Sequence, residues 1–528
     1  MKKQAARHSG RSPRTDVAAR AEGCEMKEFS YQWPAEQQKK WNERALMKYM
    51  RRYIFPYHPF YRERFAEAGV RSGDIRSAED FQRLVPLTTK NDIKKDPVAF
   101  ALQPAVPGRE RLYDTAPLRK TDMARYVIEA LKTPTQPGAP NRLKTFRARV
   151  EQAARREWFP IHFHASGGTT GEPTPSMYTH RDIFKVTPGI AAMANLCGIE
   201  LDHRALNLFP AAPHLAFFQV VMSQFLLGGC VFHTCGGAVI PTERQIVLAE
   251  KGKFDYIAAI PSYLTYWLET AKKMKDTGAI KGIDTIKYAV VAGEPMVPAY
   301  RQRLKEQFAA LGSDAKIIEG YGMTELKGAF YSCGEGSGIH LSAENYFWEV
   351  LDPETKRPVP EGTPGVLTFS HIDFRGTVLL RYYTGDLING LAWDKCPNCG
   401  ITGPRLIVPM SRAVKDFSKI KGSRVSMLDL QTAIRNAPGV ETFQVAITKE
   451  NPDDPFSRDF VKVFVAPLPG ADPADIERDI KKNVKLDCEI TPNQVIFQSY
   501  EEIEERLFQR TGLKADWIVD ERRLPTEG

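Results

Sequence analysis

Between residues 200 and 325, short apolar segments alternate regularly with longer amphipathic ones. The short segments are ALNLFPA, GGCVFHT, YIAAIPS, IKYAVVAG and AKIIEGYG, and their nearly continuous apolar character is typical of strands buried on both faces. The segments FFQVVMSQFLL, SYLTYWLETAKKM and AYRQRLKEQFAAL lie between them and have the length and periodicity of helices. Such a β-α-β alternation predicts an α/β fold with a mostly parallel sheet flanked by helices.

The chain is long enough for more than one domain, because its 528 residues exceed what a single hydrophobic core usually supports. Shorter segments between Val350 and Asp386 indicate a small antiparallel β region. After a break near Arg412 to Gly422, a unit of roughly 110 residues follows an α+β pattern and ends in a turn. We predict a disordered tail at 1–26, a large N-terminal domain at 27–414 and a small α+β domain at 415–528.

Residues from about 105 to 160 interrupt the large domain with a stretch rich in Arg, Lys and Pro. Within them, RLKTFRARVEQAARREWF predicts a basic amphipathic helix, which we interpret as part of a solvated surface insertion. Upstream, Ser77 stands before Glu79 and Asp80, an arrangement that predicts a helix N-cap at Ser77.

Composition excludes some classes of protein. The net charge of +9 is modest for this length and forms no long basic stripe, so nucleic acid is not an expected partner, whereas nucleotides are compatible. No apolar run is long enough to span a membrane, and the basic start lacks the apolar core of a secretory signal. Eight cysteines in such a chain favour a reducing, cytoplasmic location, where paired cysteines more often bind metal than form disulfides.

The stretch HASGGTTGEPTP, from His164 to Pro175, has the composition of an oxygen-binding loop. Its glycines let backbone N–H groups point inward, and its hydroxyl residues add donors, so it can form a phosphate-binding nest. It is not a Walker P-loop, and a Gly/Thr stretch taken alone is more often a turn than a phosphate-binding loop. The candidate phosphate-binding residues are Ser166, Gly167, Gly168, Thr169, Thr170 and Gly171.

Two further stretches carry groups that suit a nucleotide. In EGYGMTEL, Tyr321 offers a ring for a nucleobase, Thr324 a hydroxyl for phosphate and Glu325 a carboxylate for Mg²⁺. In RYYTGDL, Asp386 follows a glycine turn and is suited to accept hydrogen bonds from ribose hydroxyls. Each stretch alone also fits a buried tyrosine, a capped turn or a solvated carboxylate. Their occurrence together, in this order, favours a nucleotide site.

The loop, YGMTE, YYTGDL and the later KIKGSRV together resemble the adenylate-forming superfamily of acyl-CoA synthetases, adenylation domains and luciferases. HPFYRERFAEAGV, VPLTTKNDIKKD, IPSYL and AGEP are similar to landmarks of its phenylacetate–CoA ligase-like branch. The resemblance runs from about Phe55 to Asp520, apart from the insertion. It implies that a carboxylate attacks the α-phosphate of ATP to give an acyl-adenylate and pyrophosphate, and that a thiol, usually that of CoA, then displaces AMP.

The resemblance also implies roles for individual residues. Gly293, Glu294 and Tyr321 would line the adenine pocket, Thr324 and Glu325 would serve phosphate and Mg²⁺, and Asp386 would bind ribose. Lys514, in RTGLKADWIVD, would neutralise charge on the carboxylate and α-phosphate during adenylation.

The same resemblance implies a mobile small domain. The small domain would rotate about Lys415, removing Lys514 and bringing Lys419 and Gly422 to the site for the second half-reaction. The sequence fits equally well with Lys419 being an exposed lysine that takes no part in the reaction.

The sequence departs from the family pattern at three points. Glu172 stands where the family usually has Lys, so one phosphate contact is in question. Arg412 falls one position early for a ribose or phosphate contact, counting back from Gly422. Leu513 stands where the branch favours Gly, directly before Lys514.

Four residues have the spacing of a closed zinc site. Cys333 and His340 lie in SCGEGSGIH, and Cys396 and Cys399 form a knuckle in CPNCG. Together they make a Cys₃His set, which suits structural rather than catalytic Zn²⁺ because no coordination position stays open. The alternative is a group of buried free thiols and a hydrogen-bonded histidine.

The acyl pocket is expected before YGMTE, from residues of APHLAFFQ and IPSYL. An apolar, aromatic-lined pocket fits an aryl or arylalkyl acid, although the two phenylalanines also fit a helix core. The candidate residues are His214, Phe217, Phe218, Pro261 and Tyr263.

Three functions are compatible with these motifs. The first is an acid–CoA ligase that uses ATP, Mg²⁺, CoA and a small carboxylic acid. The second is an adenylating enzyme whose acceptor is a carrier protein, an amine or a hydroxyl group. The third is a non-catalytic, zinc-stabilised nucleotide-binding protein, which Glu325, Asp386 and Lys514 together disfavour. The basic insertion is compatible with CoA phosphates and with an acidic carrier protein, and the sequence leaves a homodimer open.

Overall fold

The computed structural model describes residues 29–105, 112–132, 142–166, 173–200, 202–237, 239–294, 296, 298–408, 411–412, 417–420, 423–451, 458–488, 490–508 and 515–522. The predicted tail at 1–26 lies outside these ranges. Among the described helices, none is long and apolar enough to cross a membrane.

The helices are α1 (Ala35–Tyr49), α2 (Phe55–Tyr57), α3 (Pro59–Glu67), α4 (Ala78–Leu84), α5 (Lys90–Lys95), α6 (Lys120–Lys132), α7 (Arg142–Trp158), α8 (Thr187–Ala191), α9 (Leu215–Leu227), α10 (Thr242–Gly252), α11 (Pro261–Asp276), α12 (Pro298–Leu311), α13 (Met427–Arg435), α14 (Pro473–Cys488) and α15 (Tyr500–Phe508).

The strands of the first half are β1 (Pro160–Ala165), β2 (Pro175–Thr179), β3 (Arg204–Asn207), β4 (Cys230–His233), β5 (Tyr256–Ala259), β6 (Tyr288–Ala292), β7 (Lys316–Met323), β8 (Gly328–Tyr331), β9 (Ile339–His340) and β10 (Tyr346–Leu351). They are followed by β11 (Gly365–His371), β12 (Tyr382–Ile388), β13 (Leu391–Ala392), β14 (Arg405–Leu406), β15 (Ser411–Arg412), β16 (Phe417–Ile420), β17 (Ser423–Ser426), β18 (Val440–Lys449), β19 (Asp459–Pro467), β20 (Gln494–Phe497) and β21 (Ile518–Asp520).

The central sheet has the strand order β4-β3-β5-β6-β7-β8. Its strands run parallel from β4 to β7, and only the β7–β8 pair is antiparallel. One face packs through Leu206, Ile257 and Val291 against α10, α11 and α12, and the other packs through Ala258 and Val290 against α9. The predicted α/β fold with a mostly parallel, helix-flanked sheet is confirmed, because helices cover both faces of the sheet.

The predicted antiparallel region is the sheet β10-β11-β12-β15. It packs with the N-terminal helices in one large core that includes Ile54, Phe100, Phe369 and Leu380. A smaller sheet, β13-β14-β9, carries His340, and Cys333, Cys396 and Cys399 lie outside its strands. This region brings β12 and β15 next to each other, so that Asp386 stands directly opposite Arg412.

The chain from Ile420 onward builds a core of its own. Its sheet has the order β20-β19-β18-β21, in which β18 and β19 are antiparallel and the outer strands are parallel to their neighbours. Helices α13 and α14 contribute Leu430, Ile434 and Ile480 to this core. The predicted helix-strand-strand-helix-strand order is present, but the predicted final turn is wrong, because α15 and β21 follow.

Helix ends follow local sequence signals. The Ser77 side chain accepts a hydrogen bond from the Asp80 backbone, as predicted. Thr89 and Asp92 form a capping box at α5. Gly228 ends α9 with φ of 79°, a left-handed conformation that costs glycine little.

The basic helix of the insertion is α7, and the interpretation of it as fully solvated is wrong. Ala154 and Trp158 are buried in the large core, so the C-terminal half of the helix is packed. The buried Glu157 accepts a hydrogen bond of 3.1 Å from Nε of the buried Arg375. A second helix that the sequence analysis missed, α6, packs against α7.

Candidate functional site

The Tyr321 hydroxyl donates a hydrogen bond to the Asp386 carboxylate at 2.8 Å, and both residues are buried. Strand β7 carries Tyr321 and β12 carries Asp386, so the bond joins the central sheet to the antiparallel sheet. The Asp386 backbone N–H also donates to the Thr384 hydroxyl at 3.0 Å, within the YYTGDL stretch. Two motifs that are remote in sequence therefore meet at one place.

Gly293 and Glu294 lie at the same edge of the sheet. Ala292, the last residue of β6, pairs with Gly320 of β7, which places Gly293 beside Tyr321. Gly293 has φ of 98°, and the Glu294 carboxylate accepts hydrogen bonds from the Ser262 N–H at 3.0 Å and hydroxyl at 2.8 Å. Glu294 therefore caps the N-terminus of α11, where a negative charge is favourable.

Thr324 and Glu325 occupy the turn between β7 and β8, and both are buried. The Lys90 ammonium, at the start of α5, lies 3.9 Å from a Glu325 carboxylate oxygen. Lys90 belongs to VPLTTKNDIKKD, which signalled family membership but gave no individual role to this lysine. The carboxylate and the neighbouring hydroxyl form a compact oxygen-donor pair, the type of ligand that Mg²⁺ prefers.

The Gly- and Thr-rich loop starts from the hairpin of β1 and β2. The Ser166 N–H donates to the Thr174 carbonyl at 2.9 Å, and the Thr174 N–H donates to the Ser166 hydroxyl oxygen at 3.0 Å. These two bonds hold the ends of the loop together. The predicted phosphate-binding residues Gly167, Gly168, Thr169, Thr170 and Gly171 lie outside the described residues.

His164, directly before this loop, was given no role by the sequence analysis. It is buried, and its Nδ1 lies 3.3 Å from Nε2 of His162. Its own Nε2 has no hydrogen-bond partner among the described residues. Burial, and then the charges of His162, Lys327 and His214, lower the pKa of His164 to about 3, so the imidazole is neutral. Its place at the start of HASGGTTGEPTP is the feature of the sequence that could have marked it as a site residue.

A cavity of about 470 Å³ lies between the carboxyl ends of the parallel strands and α15. Such crevices at the ends of parallel strands are the usual ligand sites of α/β folds. Tyr263, one of the predicted acyl-pocket residues, lines it. Its other lining residues are Leu208, Pro210, Gly236, Gly237, Ile260, Tyr266, Glu501, Glu504, Glu505 and Phe508.

Phe217 and Phe218 lie in a cluster of aromatic and imidazole rings. The Phe218 ring centroid is 4.9 Å from that of His164 and 5.0 Å from that of His162, and Phe217 is 5.2 Å from His233. The other predicted pocket residues stand at helix starts: His214 precedes α9 and Pro261 begins α11.

The four predicted zinc ligands converge. Their ligating atoms all lie within 4.8 Å of one another. Nε2 of His340 is 3.3 Å from Sγ of Cys333 and 3.5 Å from Sγ of Cys399, and the Cys333 and Cys396 sulfurs are 3.6 Å apart. A tetrahedral zinc ion with bonds of about 2.0–2.3 Å separates its ligands by roughly this amount, so the residues fit that ion.

Local backbone geometry explains how the sequence builds this cluster. Strand β9 presents His340, and β14 pairs with it. Gly338 has φ of 70°, and a side chain there would meet the Leu406 carbonyl oxygen. Glycine is therefore required for the chain to turn between Cys333 and His340.

Three of the residues predicted for domain rotation, Lys415, Gly422 and Lys514, lie outside the described residues. The backbone of Lys419, in β16, pairs with Arg424 of β17. The backbone of Arg412, in β15, pairs with that of Asp386, so Arg412 lies on the strand next to the residue predicted to bind ribose.

The fold and the convergent motifs define an α/β protein with a crevice at the edge of its central sheet. Residues 89–383, more than half of the chain, match the family model described as AMP-binding enzyme. The chain therefore belongs to the AMP-binding enzyme family.

Similar curated proteins include phenylacetate-coenzyme A ligases. The Thermus thermophilus protein is 28% identical over 411 residues, covering 75% of this chain and 76% of that protein. The Aromatoleum evansii protein is 27% identical over 394 residues, covering 72% of this chain and 70% of that protein.

Solved structures show the same fold. A crystal structure of 2-hydroxyisobutyryl-CoA ligase in the postadenylation state, with R3-HIB-AMP, has a TM-score of 0.70 at 20% identity and covers 93% of this chain and 91% of its own. The same enzyme in the thioesterification state has a TM-score of 0.56. These findings confirm the predicted superfamily, the predicted fold class and the prediction that the chain is an enzyme of this family.

Proposed function

We propose that this protein is an AMP-forming acid–CoA ligase that activates an aryl or arylalkyl carboxylic acid. The observation that carries the proposal is the meeting of Tyr321 and Asp386 at the sheet edge that also holds Gly293 and Glu294. The similarity to phenylacetate-coenzyme A ligases supports the choice of CoA as acceptor and of an aromatic acid.

In the first half-reaction, the nucleotide lies across this edge. Tyr321 and the backbone at Gly293 and Glu294 contact adenine, while Asp386 accepts hydrogen bonds from the ribose, with Arg412 opposite it. The loop from Ser166 to Gly171 holds the β- and γ-phosphates. The carboxylate of the acid attacks the α-phosphorus, and pyrophosphate leaves. Lys514 offsets the negative charge that gathers on the reacting oxygens.

Thr324 and Glu325 would hold Mg²⁺. This ion neutralises phosphate charge when it is bound. The buried carboxylate of Glu325 needs a positive partner, and Lys90 at 3.9 Å supplies part of that charge in the structure.

In the second half-reaction, the CoA thiol attacks the carbonyl carbon of the acyl-adenylate and AMP leaves. The small domain rotates about Lys415, which withdraws Lys514 and brings Lys419 and Gly422 toward the site. Glu501, Glu504 and Glu505, which line the cavity from α15, move with this domain. The wall of the cavity that α15 forms is therefore different in the two half-reactions.

The acyl group occupies the region that Tyr263 lines, with Pro261, His214, Phe217 and Phe218 around it. A cavity of about 470 Å³ is within the size range of small-ligand sites, and the rings of Tyr263 and Tyr266 that line it favour an aromatic acid. The aromatic cluster around His164 connects this region to the phosphate loop, because His164 precedes the loop and its ring contacts Phe218.

Cys333, His340, Cys396 and Cys399 would hold a structural Zn²⁺. Bound by these four side chains, the ion would cross-link the β9–β14 region and supply folding stability rather than a catalytic group. The convergence of the four side chains supports this role.

The proposal is tested by measuring pyrophosphate and AMP release from MgATP across a panel of carboxylic acids, with and without CoA. We expect one aromatic acid to give release, and CoA to increase it with formation of a thioester. Pyrophosphate release without any CoA effect would leave adenylation intact and exclude CoA as acceptor. Retained ATP binding without release of pyrophosphate or AMP for any acid would contradict the proposed ligase activity.

A further inference from the structure

Lys327 is a fully buried lysine beside the candidate phosphate site. It lies in the turn between β7 and β8, two residues after Glu325, and its backbone N–H donates to the Thr324 carbonyl at 3.3 Å. Its φ of 60° is left-handed, a conformation that is uncommon for a residue with a side chain and persists where surrounding contacts hold it. A buried ammonium group is costly unless it is paired, so the turn depends on the partners of this lysine.

The counter-charge of Lys327 is the carboxylate of Asp182, which follows β2 and is also fully buried. Nζ of Lys327 lies 3.3 Å from Oδ2 of Asp182. The ammonium group is also 4.7 Å from the ring centroid of Tyr178 and 5.1 Å from that of Phe374, distances at which cation–π attraction contributes. The Lys327 side chain therefore joins the β7–β8 turn to the end of β2.

The same carboxylate also holds two stretches of backbone. Oδ1 of Asp182 accepts a hydrogen bond from the Arg375 N–H at 2.8 Å, and Oδ2 accepts from the Gly376 N–H at 2.7 Å and the Thr179 N–H at 3.1 Å. A side chain at Gly376 would meet the Met177 carbonyl oxygen, so glycine permits this close approach. One carboxylate thus connects β2, the segment before β12 and, through the lysine, the β7–β8 turn.

Each of the three connected segments carries a residue that we propose for nucleotide binding. Strand β2 forms a hairpin with β1, and Ser166 stands at the end of that hairpin, where its N–H donates to the Thr174 carbonyl at 2.9 Å. Strand β12 carries Asp386, and the β7–β8 turn carries Thr324 and Glu325. The ion pair therefore lies where the phosphate and ribose parts of the proposed site are joined.

The β7–β8 turn has two anchors on different parts of the fold. The Leu326 carbonyl accepts a hydrogen bond from the Tyr346 hydroxyl at 2.8 Å, which fixes the turn to β10 of the antiparallel sheet. Lys327 fixes the same turn to the end of the β1–β2 hairpin through Asp182. The first anchor sets the turn against the antiparallel sheet, and the second sets its position relative to the hairpin.

We propose that Lys327 is a positioning residue for the β- and γ-phosphates of ATP, which holds Thr324 and Glu325 at a fixed place relative to Ser166 through its ion pair with Asp182. The lysine acts through these residues and does not itself touch the nucleotide. This inference rests on the proposed function, because it takes Thr324, Glu325 and Ser166 as groups that serve the phosphates and Mg²⁺.

The physical basis is the loss of one anchor. Without the ammonium group, Asp182 keeps its three backbone donors, and the turn keeps its bond from Tyr346, but the tie between the turn and the hairpin is lost. Groups that bind one ligand from two sides lose contacts when their spacing changes. AMP has no β- or γ-phosphate, so its binding does not depend on that spacing.

The experiment compares three variants. Lys327→Met keeps an unbranched side chain of similar length and removes the ammonium group. Lys327→Met combined with Asp182→Asn also removes the unpaired carboxylate charge, which guards against loss of folding in the single variant. Lys449→Met is the matched control, because Lys449 pairs with Asp459 at 3.0 Å in the small sheet. Circular dichroism and thermal melting first establish that each variant is folded.

Isothermal titration calorimetry without any acid measures the affinities for MgATP and for AMP. Both Lys327 variants are expected to bind MgATP about tenfold to a hundredfold more weakly than wild type, the range for one lost hydrogen bond to a charged group. Their affinity for AMP is expected to stay within about twofold of wild type, because the adenine and ribose contacts are kept. The Lys449 variant is expected to keep both affinities. Equal weakening of both nucleotides, or unchanged MgATP binding, would overturn the proposal.

Hydrogen–deuterium exchange without nucleotide separates this inference from the proposed function. In peptides spanning 173–182 and 320–331, Lys327→Met is expected to exchange faster than wild type, and Lys449→Met is not. If the wild type binds both nucleotides but releases no pyrophosphate with any acid, the proposed ligase fails and the affinity comparison still decides the role of Lys327. Unchanged exchange in Lys327→Met would overturn that role independently of activity.

Discussion

The Tyr321 hydroxyl lies 2.8 Å from the Asp386 carboxylate, and this bond fixes the direction in which the carboxylate presents its oxygens. Asp386 is the residue proposed to bind ribose, so its orientation bears directly on nucleotide affinity.

Tyr321→Phe removes this bond and keeps the ring that we propose faces adenine. We expect the KM for ATP to rise about threefold to tenfold, less than the about 1.5–3 kcal/mol of a hydrogen bond to a charged group, because the bond orients Asp386 and does not contact ATP, with little change in kcat. Asp386→Asn should raise the KM further. Steady-state kinetics at saturating acid measures both values, and an unchanged KM for Tyr321→Phe would show that Asp386 is held by other contacts.

Lys514→Ala separates the two half-reactions. In the proposed mechanism the lysine offsets charge only while the carboxylate and the α-phosphate react, so we expect pyrophosphate release to fall by on the order of a hundredfold or more. Thiolysis of a supplied acyl-adenylate should stay close to the wild-type rate. A parallel loss of both rates would argue against rotation of the small domain between two working positions.

The Cys₃His cluster predicts one zinc ion per chain. Cys396→Ser should abolish zinc binding and lower the melting temperature by several degrees, because metal binding contributes to folding free energy. Cys230→Ser is the control, since Cys230 is exposed and outside the cluster. Elemental analysis and thermal melting measure the two effects, and wild-type protein that binds no zinc when purified without chelator would exclude the site.

Docking of α15 is expected to depend on pH. Burial, and then the charges of Glu269 and Glu501, raise the pKa of Glu504 to about 7, while Lys273 and the Tyr500 hydroxyl oppose the shift. Because the docked state binds the proton more tightly, its stability is greatest below the ordinary glutamate range and falls as pH rises through about 7.

Small-angle scattering tests this dependence at pH values of about 6 and about 8, on either side of the raised pKa. Wild-type protein is expected to expand at the higher pH, as the parts of the chain separate, and Glu504→Gln is expected to stay compact at both. A wild-type radius of gyration that does not change with pH, or a Glu504→Gln variant that expands equally, would contradict pH-dependent docking through Glu504. The charged and polar groups that act on Glu504 are Glu269 and Lys273 of α11 and Tyr500 and Glu501 of α15, and Arg303 of α12 donates to the Glu269 carboxylate.

Local pattern was enough to predict the strands of the central sheet. Segments such as YIAAIPS and IKYAVVAG became β5 and β6, because an unbroken apolar run is stable only where both faces are covered. The spacing of Cys333, His340, Cys396 and Cys399 likewise predicted a cluster that the fold assembles.

Two predictions are wrong where the local sequence pattern fits more than one structure. The charged face of α7 indicated solvent, yet Glu157 is buried because Arg375, more than two hundred residues later, supplies its counter-charge. The sequence predicts a turn where α15 forms, and the structure shows that the buried Ile503 and Leu507 of this helix pack on the small sheet.

By itself, the sequence determined the α/β class, the family and the candidate residues, since these depend on periodicity and on the order of short motifs. Only the tertiary structure decided that Tyr321 bonds to Asp386, that Glu294 caps α11 and that Gln444 donates to the Arg506 and Asp516 carbonyls. Each of these contacts joins positions on separate elements. Such contacts are set by how sheets and helices pack in three dimensions, and a one-dimensional pattern carries no record of that packing.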